Sequence, residues 1–290
     1  MVQVSLNGFF PADFVADGRV MIDVRVPPPP VPPSPAIEIH DARQLQARAS
    51  SPAAFFAEHG FVLLPHASRV SDWNHDTNAA GIERNYFAEV EGMIREHLLP
   101  GRRLAIRQSA LPLRRGHGTS TPMYGTGIHS DYGLEADDYQ QAVEAFSSPM
   151  VGKMWRNQYD RAETDGFMVI DFWRTTHMDG PLKHMPLALC SRSSVDPADM
   201  VLTAVGGVSD NGNFSHTLGI RFNPAQKWYY YPDMTGDEVL AFKLFQAFKA
   251  GDEPVPQLCF HSAFKDPATP ADAQPRQSCE HRVGVFCLSA

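Results

Sequence analysis

The pattern of apolar positions changes near residue 150. Before it, hydrophobic residues recur at helical spacing. Between about Gly81 and Leu98, the residues Tyr86, Phe87, Val90, Ile94, His97 and Leu98 fall on one stripe, and Pro100-Gly101 ends it. Residues 41–59 read as helical, with Leu45, Ala49, Phe55 and Phe56 apolar and a break near Pro52, and another helix is expected over Glu135 to Phe146. Strand signals in this half are few. Val20 to Val26 alternates, and Phe61-Val62-Leu63-Leu64 is a short buried strand stopped by Pro65.

Beyond residue 150, short apolar runs alternate with turn signals. The runs are Phe167 to Ile170, Val201 to Val205, Thr217 to Phe222, Lys227 to Tyr231 and Val283 to Leu288. Asp165-Gly166, Asp179-Gly180-Pro181, Gly206-Gly207, Asn211-Gly212 and Asn223-Pro224 separate them. Many short strands at such spacing predict a sandwich or barrel. One helix is expected among them. Thr235-x-x-Glu238 reads as a capping box, Leu240, Leu244, Ala247 and Phe248 as its buried face, and Gly251 as its end. Pro27 to Pro30, Pro32, Pro33 and Pro35 form a polyproline strap. The expected organisation is therefore an N-terminal arm over residues 1–40 and one β-rich domain with flanking helices over 41–290.

Composition narrows the function classes. A formal charge of -8 and a pI of about 5.8, without a dense Lys/Arg run, argue against a nucleic-acid surface. No apolar run approaches the ~20 residues of a membrane span, and the first twenty residues lack the layout of a signal peptide. Cys190, Cys259, Cys279 and Cys287 form no Cys-x-x-Cys pair and sit among apolar neighbours. Buried thiols in a reducing cytoplasm are expected.

The chemistry starts at Gly127-Ile128-His129-Ser130-Asp131-Tyr132-Gly133. In an extended segment His129 and Asp131 project to the same face. They supply two corners of the facial triad that holds non-haem Fe(II) and leaves positions open. A third ligand should lie well downstream, and His216 and His261 are the candidates. Arg276-Gln277-Ser278 follows His261, and its guanidinium fork and hydroxyl suit a carboxylate. Nothing comparable follows His216. Arg282 is a rival anchor, because even spacing puts Arg276, Ser278 and Arg282 on one strand face.

The order His129-x-Asp131, His261, Arg276-x-Ser278 resembles that of Fe(II)/2-oxoglutarate-dependent oxygenases of the double-stranded β-helix fold. Phe172-Trp173-Arg174, Pro186 to Cys190, Trp228 to Met234 and Pro275 to Arg282 resemble the branch of CmcJ-like proteins and gibberellin-desaturase-like hydroxylase/desaturases. The resemblance spans roughly residues 100–290. Asp171-Phe172-Trp173-Arg174-Thr175 stands where the branch usually has Asn-x-Trp-Arg-Pro, and Gln277 and His281 also depart from it. These departures bear on the substrate.

The resemblance implies a jelly-roll core, with Fe(II) on His129, Asp131 and His261 and the 2-oxoglutarate carboxylate on Arg276 and Ser278. The implied reaction couples O2 and 2-oxoglutarate to attack on a C–H bond of a small organic molecule in natural-product biosynthesis. Related halogenases lack the carboxylate, so Asp131 points to hydroxylation, desaturation or cyclisation. Trp173, Arg174, Asp171, Tyr124 and Tyr132 are expected near the substrate, although a Trp-Arg pair is as often a packing pair. Two other readings fit the same residues. One is a cupin-like metal enzyme without 2-oxoglutarate. The other is a non-catalytic β-sandwich whose Pro-rich arm binds partners.

Overall fold

In the computed structural model, residues 1–26, 34–209, 212–250 and 258–289 are described. The expected strap at Pro27 to Pro33, the break at Asn211 and the helix end at Gly251 lie outside them. Along the chain the strands are β1 (Val2–Ser5), β2 (Phe9–Phe10), β3 (Val20–Asp23), β4 (Ala36–Asp41), β5 (Phe61–Pro65), β6 (Arg103–Arg107), β7 (Leu113–Arg115) and β8 (Thr164–Thr175). They continue as β9 (Leu187–Cys190), β10 (Met200–Gly206), β11 (Ser215–Arg221), β12 (Trp228–Tyr230), β13 (Glu238–Phe248), β14 (His261–Ala263) and β15 (Ser278–Leu288). The helices are α1 (Ala42–Gln46), α2 (Pro52–His59), α3 (His75–Met93), α4 (Ala136–Phe146) and α5 (Pro149–Tyr159).

The strands form three sheets, ordered β1-β4-β12-β9-β14, β2-β11-β10-β3 and β5-β13-β8-β15-β6, with β7 also paired to β15. Together they make a mainly β, double-stranded β-helix core with helices on its flank. The strands within residues 1–26 and 34–41 enter this framework: β1 pairs β4, β2 pairs β11, β3 pairs β10, and β4 pairs β12. Phe9 packs edge-on against Trp228, with ring centroids 5.8 Å apart.

Local signals account for most helix ends. Ser51 caps α2 by accepting from the Ala54 amide, Pro52 occupies its first turn, and Gly60 ends it at φ 85° in the left-handed region. The expected helix near 81–98 begins earlier, at His75 with Asn74 as its cap, and its last turn, Ile94–Leu98, widens to a π-helix. Glu135 and Asp138 form the capping box of α4. Helix α5 is not evident from the apolar pattern, although Ser148-Pro149 is a cap followed by a first-turn proline.

The expected helix over residues 235–251 is instead the long strand β13, central in the six-stranded sheet between β5 and β8. Val239, Leu240, Ala241, Phe242, Leu244 and Phe245 are all at most 1% exposed. Helices cover one face of this sheet and the barrel interior the other, so the run is apolar on both sides. A helical stripe can be picked out of any such run. Thr235 and Glu238 do bond: the Thr235 amide donates to Glu238 Oε2 and the Glu238 amide to the Thr235 carbonyl. Those bonds close a turn into the strand rather than a helix N-terminus.

The six-stranded sheet and its helices share one large apolar cluster that includes Phe55, Phe56, Tyr86, Phe172 and Phe245. A second cluster joins the other two sheets through Ile39, Ile220, Trp228 and Phe260. The four cysteines are free and buried, packed as the sequence suggested.

Candidate metal centre

His129 and His261 face each other across a short antiparallel bridge. The His129 amide donates to the His261 carbonyl at 3.3 Å, and the return bond is 3.1 Å. Opposed residues in such a pair project to the same side, and the two imidazole centroids lie 4.5 Å apart. The next residue, Ser130, bridges Leu218 and is fully buried on the other side. Asp131 therefore returns to the side of His129. The expected strand is only this pair of bridges, but its alternation is the one the sequence required.

One donor atom from each of His129, Asp131 and His261 falls within 4.8 Å of the others. His129 Nε2 is 3.2 Å from Asp131 Oδ1. Both histidines are oriented by backbone. His129 Nδ1 is 2.6 Å from the Gly127 carbonyl, and His261 Nδ1 is 3.2 Å from the Cys259 carbonyl. A carbonyl can only accept, so in each ring Nδ1 carries a proton; Nε2 of His261 then presents its lone pair, whereas Nε2 of His129 donates to Asp131 here and has a lone pair to offer only once that proton leaves.

The electrostatics favour a cation at this point. Burial disfavours charge on Asp131, yet the Arg282 guanidinium and then His129 hold its carboxyl far below the usual range. Burial also opposes protonation of His129, but its bond to Asp131 raises it above an ordinary histidine. Burial and then His129 push His261 down to about 4, so its imidazole is neutral near pH 7. One carboxylate and two nitrogen donors, arranged to share a positive charge, fit Fe(II). His129 and Arg282 are enclosed by the sheets, yet each side chain keeps 38% of its surface accessible. They border an open hollow inside the barrel.

The two arginines after His261 differ. Arg276 is 2% exposed. Its guanidinium lies over the Tyr124 ring at 4.2 Å and near Trp173 at 5.4 Å, and one N–H donates to the Met185 carbonyl. It forms no ion pair among the described residues, and its Nε is buried without a hydrogen-bond partner. Ser278 Oγ is likewise buried and unpartnered. Burial brings Arg276 down to about 10, so it stays charged. No ion pair joins Arg276 to Asp272 or Glu280. Glu280 takes Arg115 and Arg282 instead. Arg282 lies 3.0 Å from Asp131 Oδ2 and 3.0 Å from Glu280 Oε1.

The residues expected near a substrate divide. Tyr124 stacks on Arg276 and donates its hydroxyl to the Arg276 carbonyl at 2.8 Å. Tyr132 packs on Tyr139, and burial raises its hydroxyl to about 12. Asp171 stands opposite Arg282 in the β8–β15 register and is 3% exposed, and its Oδ1 has no partner. Burial, and then Glu280, raise its carboxyl well above the ordinary range. Trp173 and Arg174 separate, because adjacent strand residues point to opposite faces. Trp173 faces Arg276. Arg174 instead lies against Trp73 and Tyr86, bonded to the carbonyls of His66 and Gly236, and is a packing residue beneath α3.

His216 takes no part in the cluster and bonds Asp138 of α4 at 2.8 Å. Sequence reasoning passed over Arg115 and the role of Glu280. Even spacing at 276, 278, 280 and 282 would have placed Glu280 in the same row. A cleft of about 470 Å³ lies beside residues 274–277, lined in part by Arg114, His117, His177 and Gln277, and His129, Asp131 and His261 do not line it.

A family model described as "Oxidoreductase/YMDC permease-like domain" matches residues 32–286. The "Hydroxylase/desaturase efuI" of Hormonema carpetanum is 25% identical over 248 residues, covering 78% of this chain and 77% of that protein. The "Fe(II)/2-oxoglutarate-dependent dioxygenase nvfI" of Aspergillus novofumigatus (strain IBT 16806) is 25% identical over 254 residues, covering 85% and 83%. Among solved structures, an iron and alpha-ketoglutarate-dependent endoperoxidase, NvfI, shares the fold with a TM-score of 0.68 at 21% identity over 99% of both chains. The family model spans most of the sequence, so the chain belongs to the Oxidoreductase/YMDC permease-like domain family, and the relatives it resembles are named for hydroxylase/desaturase and Fe(II)/2-oxoglutarate-dependent dioxygenase activities.

Proposed function

We propose that this protein is a non-haem Fe(II)/2-oxoglutarate-dependent oxygenase that oxidises a C–H bond of a small organic molecule in natural-product biosynthesis. The outcome is hydroxylation, desaturation or cyclisation, and the enzyme works in the cytoplasm. No helix among the described residues is long and apolar enough to cross a membrane. One observation carries the reading. The donor atoms of His129, Asp131 and His261 converge within 4.8 Å inside a barrel that also buries a guanidinium with no carboxylate partner among the described residues.

In this reading His129, Asp131 and His261 hold the metal. Bound Fe(II) supplies oxygen activation coupled to decarboxylation of 2-oxoglutarate to succinate. The remaining work falls to the chain. Arg276 and Ser278 fix the distal carboxylate of the 2-oxo acid, whose oxygens satisfy Arg276 Nε and Ser278 Oγ. Tyr124 and Trp173 cover the guanidinium and keep water from competing for it. Tyr132 and Asp171, near the hollow that Arg282 and His129 border, shape the substrate side.

The test is an anaerobic titration with Fe(II) and 2-oxoglutarate, followed by admission of O2. One equivalent of iron, a visible charge-transfer band on adding the 2-oxo acid, and succinate release are expected. His129→Ala or His261→Ala should abolish all three. An Ala variant at 261 that keeps full iron occupancy sinks the ligand assignment. Iron binding without succinate release would leave a metal enzyme of another kind.

A further inference from the structure

Arg276, Ser278, Glu280 and Arg282 share one face of the chain at and along β15 by even spacing. At the far end of this row the charges connect. Arg115 of β7 places Nε and a terminal nitrogen on the two oxygens of Glu280, each at 3.0 Å. Arg282 reaches Glu280 Oε1 at 3.0 Å with the same nitrogen that lies 3.0 Å from Asp131 Oδ2. The other Asp131 oxygen, Oδ1, lies 3.2 Å from His129 Nε2, on the side where the three donors converge. The two oxygens of this carboxylate therefore have different partners.

We propose that Arg282 is a positioning residue that holds the outer oxygen of Asp131, so that the carboxylate offers a single oxygen to the metal. The proposal rests on the metal reading above. A carboxylate free to turn can chelate with both oxygens. A second carboxylate oxygen on an octahedral ion would take a position that the 2-oxo acid or O2 needs. Arg282 blocks that turn by occupying Oδ2. Glu280 holds Arg282 in place and offsets its charge, and Arg115 clamps Glu280 from both sides. The brace thus runs from β7 through β15 to the segment bearing His129 and Asp131, and links a rigid sheet to a ligand on a short bridge. Partners of this kind around a ligand are worth 10–100-fold in metal affinity in other sites.

The test uses Co(II), which is stable in air and whose visible spectrum reports coordination number. Wild type, Arg282→Met, Arg282→Lys and His261→Ala are titrated with Co(II) alone and then with 2-oxoglutarate, with thermal melts to confirm folding. Arg282→Met should bind Co(II) about tenfold more weakly or worse. Its spectrum should shift, and the further change on adding the 2-oxo acid should shrink. Arg282→Lys, which keeps one charged donor, should recover part of the affinity and spectrum even if the Met variant folds poorly. A folded Arg282→Met or Arg282→Lys variant with wild-type affinity, spectrum and 2-oxo acid response overturns the brace while leaving the metal site standing. Wild type that takes up no Co(II), or that loses none with His261→Ala, removes the metal site and the brace together.

Discussion

Arg276 and Arg282 stand six positions apart on one face of the same chain segment, yet their surroundings are opposite. Arg282 has a carboxylate on either side, 3.0 Å away in each case, and still opens onto the hollow. Arg276 is sealed between aromatic rings and a backbone carbonyl, with an unsatisfied Nε and, two residues on, an unsatisfied serine hydroxyl. Moving a cation out of water costs several kcal/mol, and a buried donor without an acceptor costs about 1–3 kcal/mol more. A fold keeps such a group where something else completes it. The arginine with its partners in place is part of the protein's own structure. In the reading proposed above, the arginine without them receives the carboxylate of the 2-oxo acid. The sequence left the two as rivals, and their partners separate them.

The largest effect expected is at the three converging side chains, His129, Asp131 and His261. His261→Ala should abolish stoichiometric metal uptake, because no other described side chain joins the cluster at coordinating distance. This sets the baseline for the comparison. With the metal gone, neither arginine substitution should alter cobalt or iron binding further.

Arg276→Leu comes next. Loss of a charge-assisted pair of hydrogen bonds is worth about 3 kcal/mol, roughly a hundredfold in 2-oxoglutarate affinity. Co(II) affinity should stay within a few-fold of wild type. Arg276→Lys should recover little, since an ammonium lacks the planar fork. If Arg282→Met raises the 2-oxoglutarate requirement strongly and Arg276→Leu does not, the two roles are reversed. Stability should separate the pair by sign. Arg276→Leu removes a buried cation that has no carboxylate partner among the described residues and should leave the ligand-free melting temperature unchanged or higher. Arg282→Met strips a partner from two carboxylates and should lower ligand-free stability by about 1 kcal/mol given its partial exposure. Chemical denaturation without metal or 2-oxo acid checks both.

The ease of reading these features from the sequence depends on how local their causes are. His129 and Asp131 are legible because period-two alternation survives even in a segment with only two bridges. His261 ranks above His216 in the sequence only through the Arg276-x-Ser278 pair downstream of it. The structure adds the reason: His261 pairs directly across from His129, whereas His216 is spent on Asp138. Strand β13 reads as a helix because a run buried on both faces carries no periodicity of its own, and pairing with β5 and β8 decides its form. Arg174 and Trp173 look like a unit because they are adjacent, but a strand sends neighbours to opposite sides. Arg115 is out of reach. Its link to Glu280 spans 165 positions and depends on β7 pairing with the start of β15.

The smallest effect in this set is also the most discriminating. Ser278 is 1% exposed, and its Oγ has no partner within hydrogen-bonding distance among the described residues. A hydroxyl in that state contributes nothing to folding and costs about 1 kcal/mol in lost hydration. Ser278→Ala should therefore raise ligand-free stability slightly, against the usual direction for a buried substitution. If the hydroxyl donates to the distal carboxylate of 2-oxoglutarate, the same change should weaken its binding by about 1 kcal/mol, roughly fivefold. Stabilisation by saturating 2-oxoglutarate in the presence of Co(II) should shrink by the matching amount. The two shifts have opposite sign and arise from one atom, so a general loosening of the barrel cannot mimic them. A variant that loses ligand-free stability would show that Ser278 is satisfied inside the fold, and would leave Arg276 as the sole anchor.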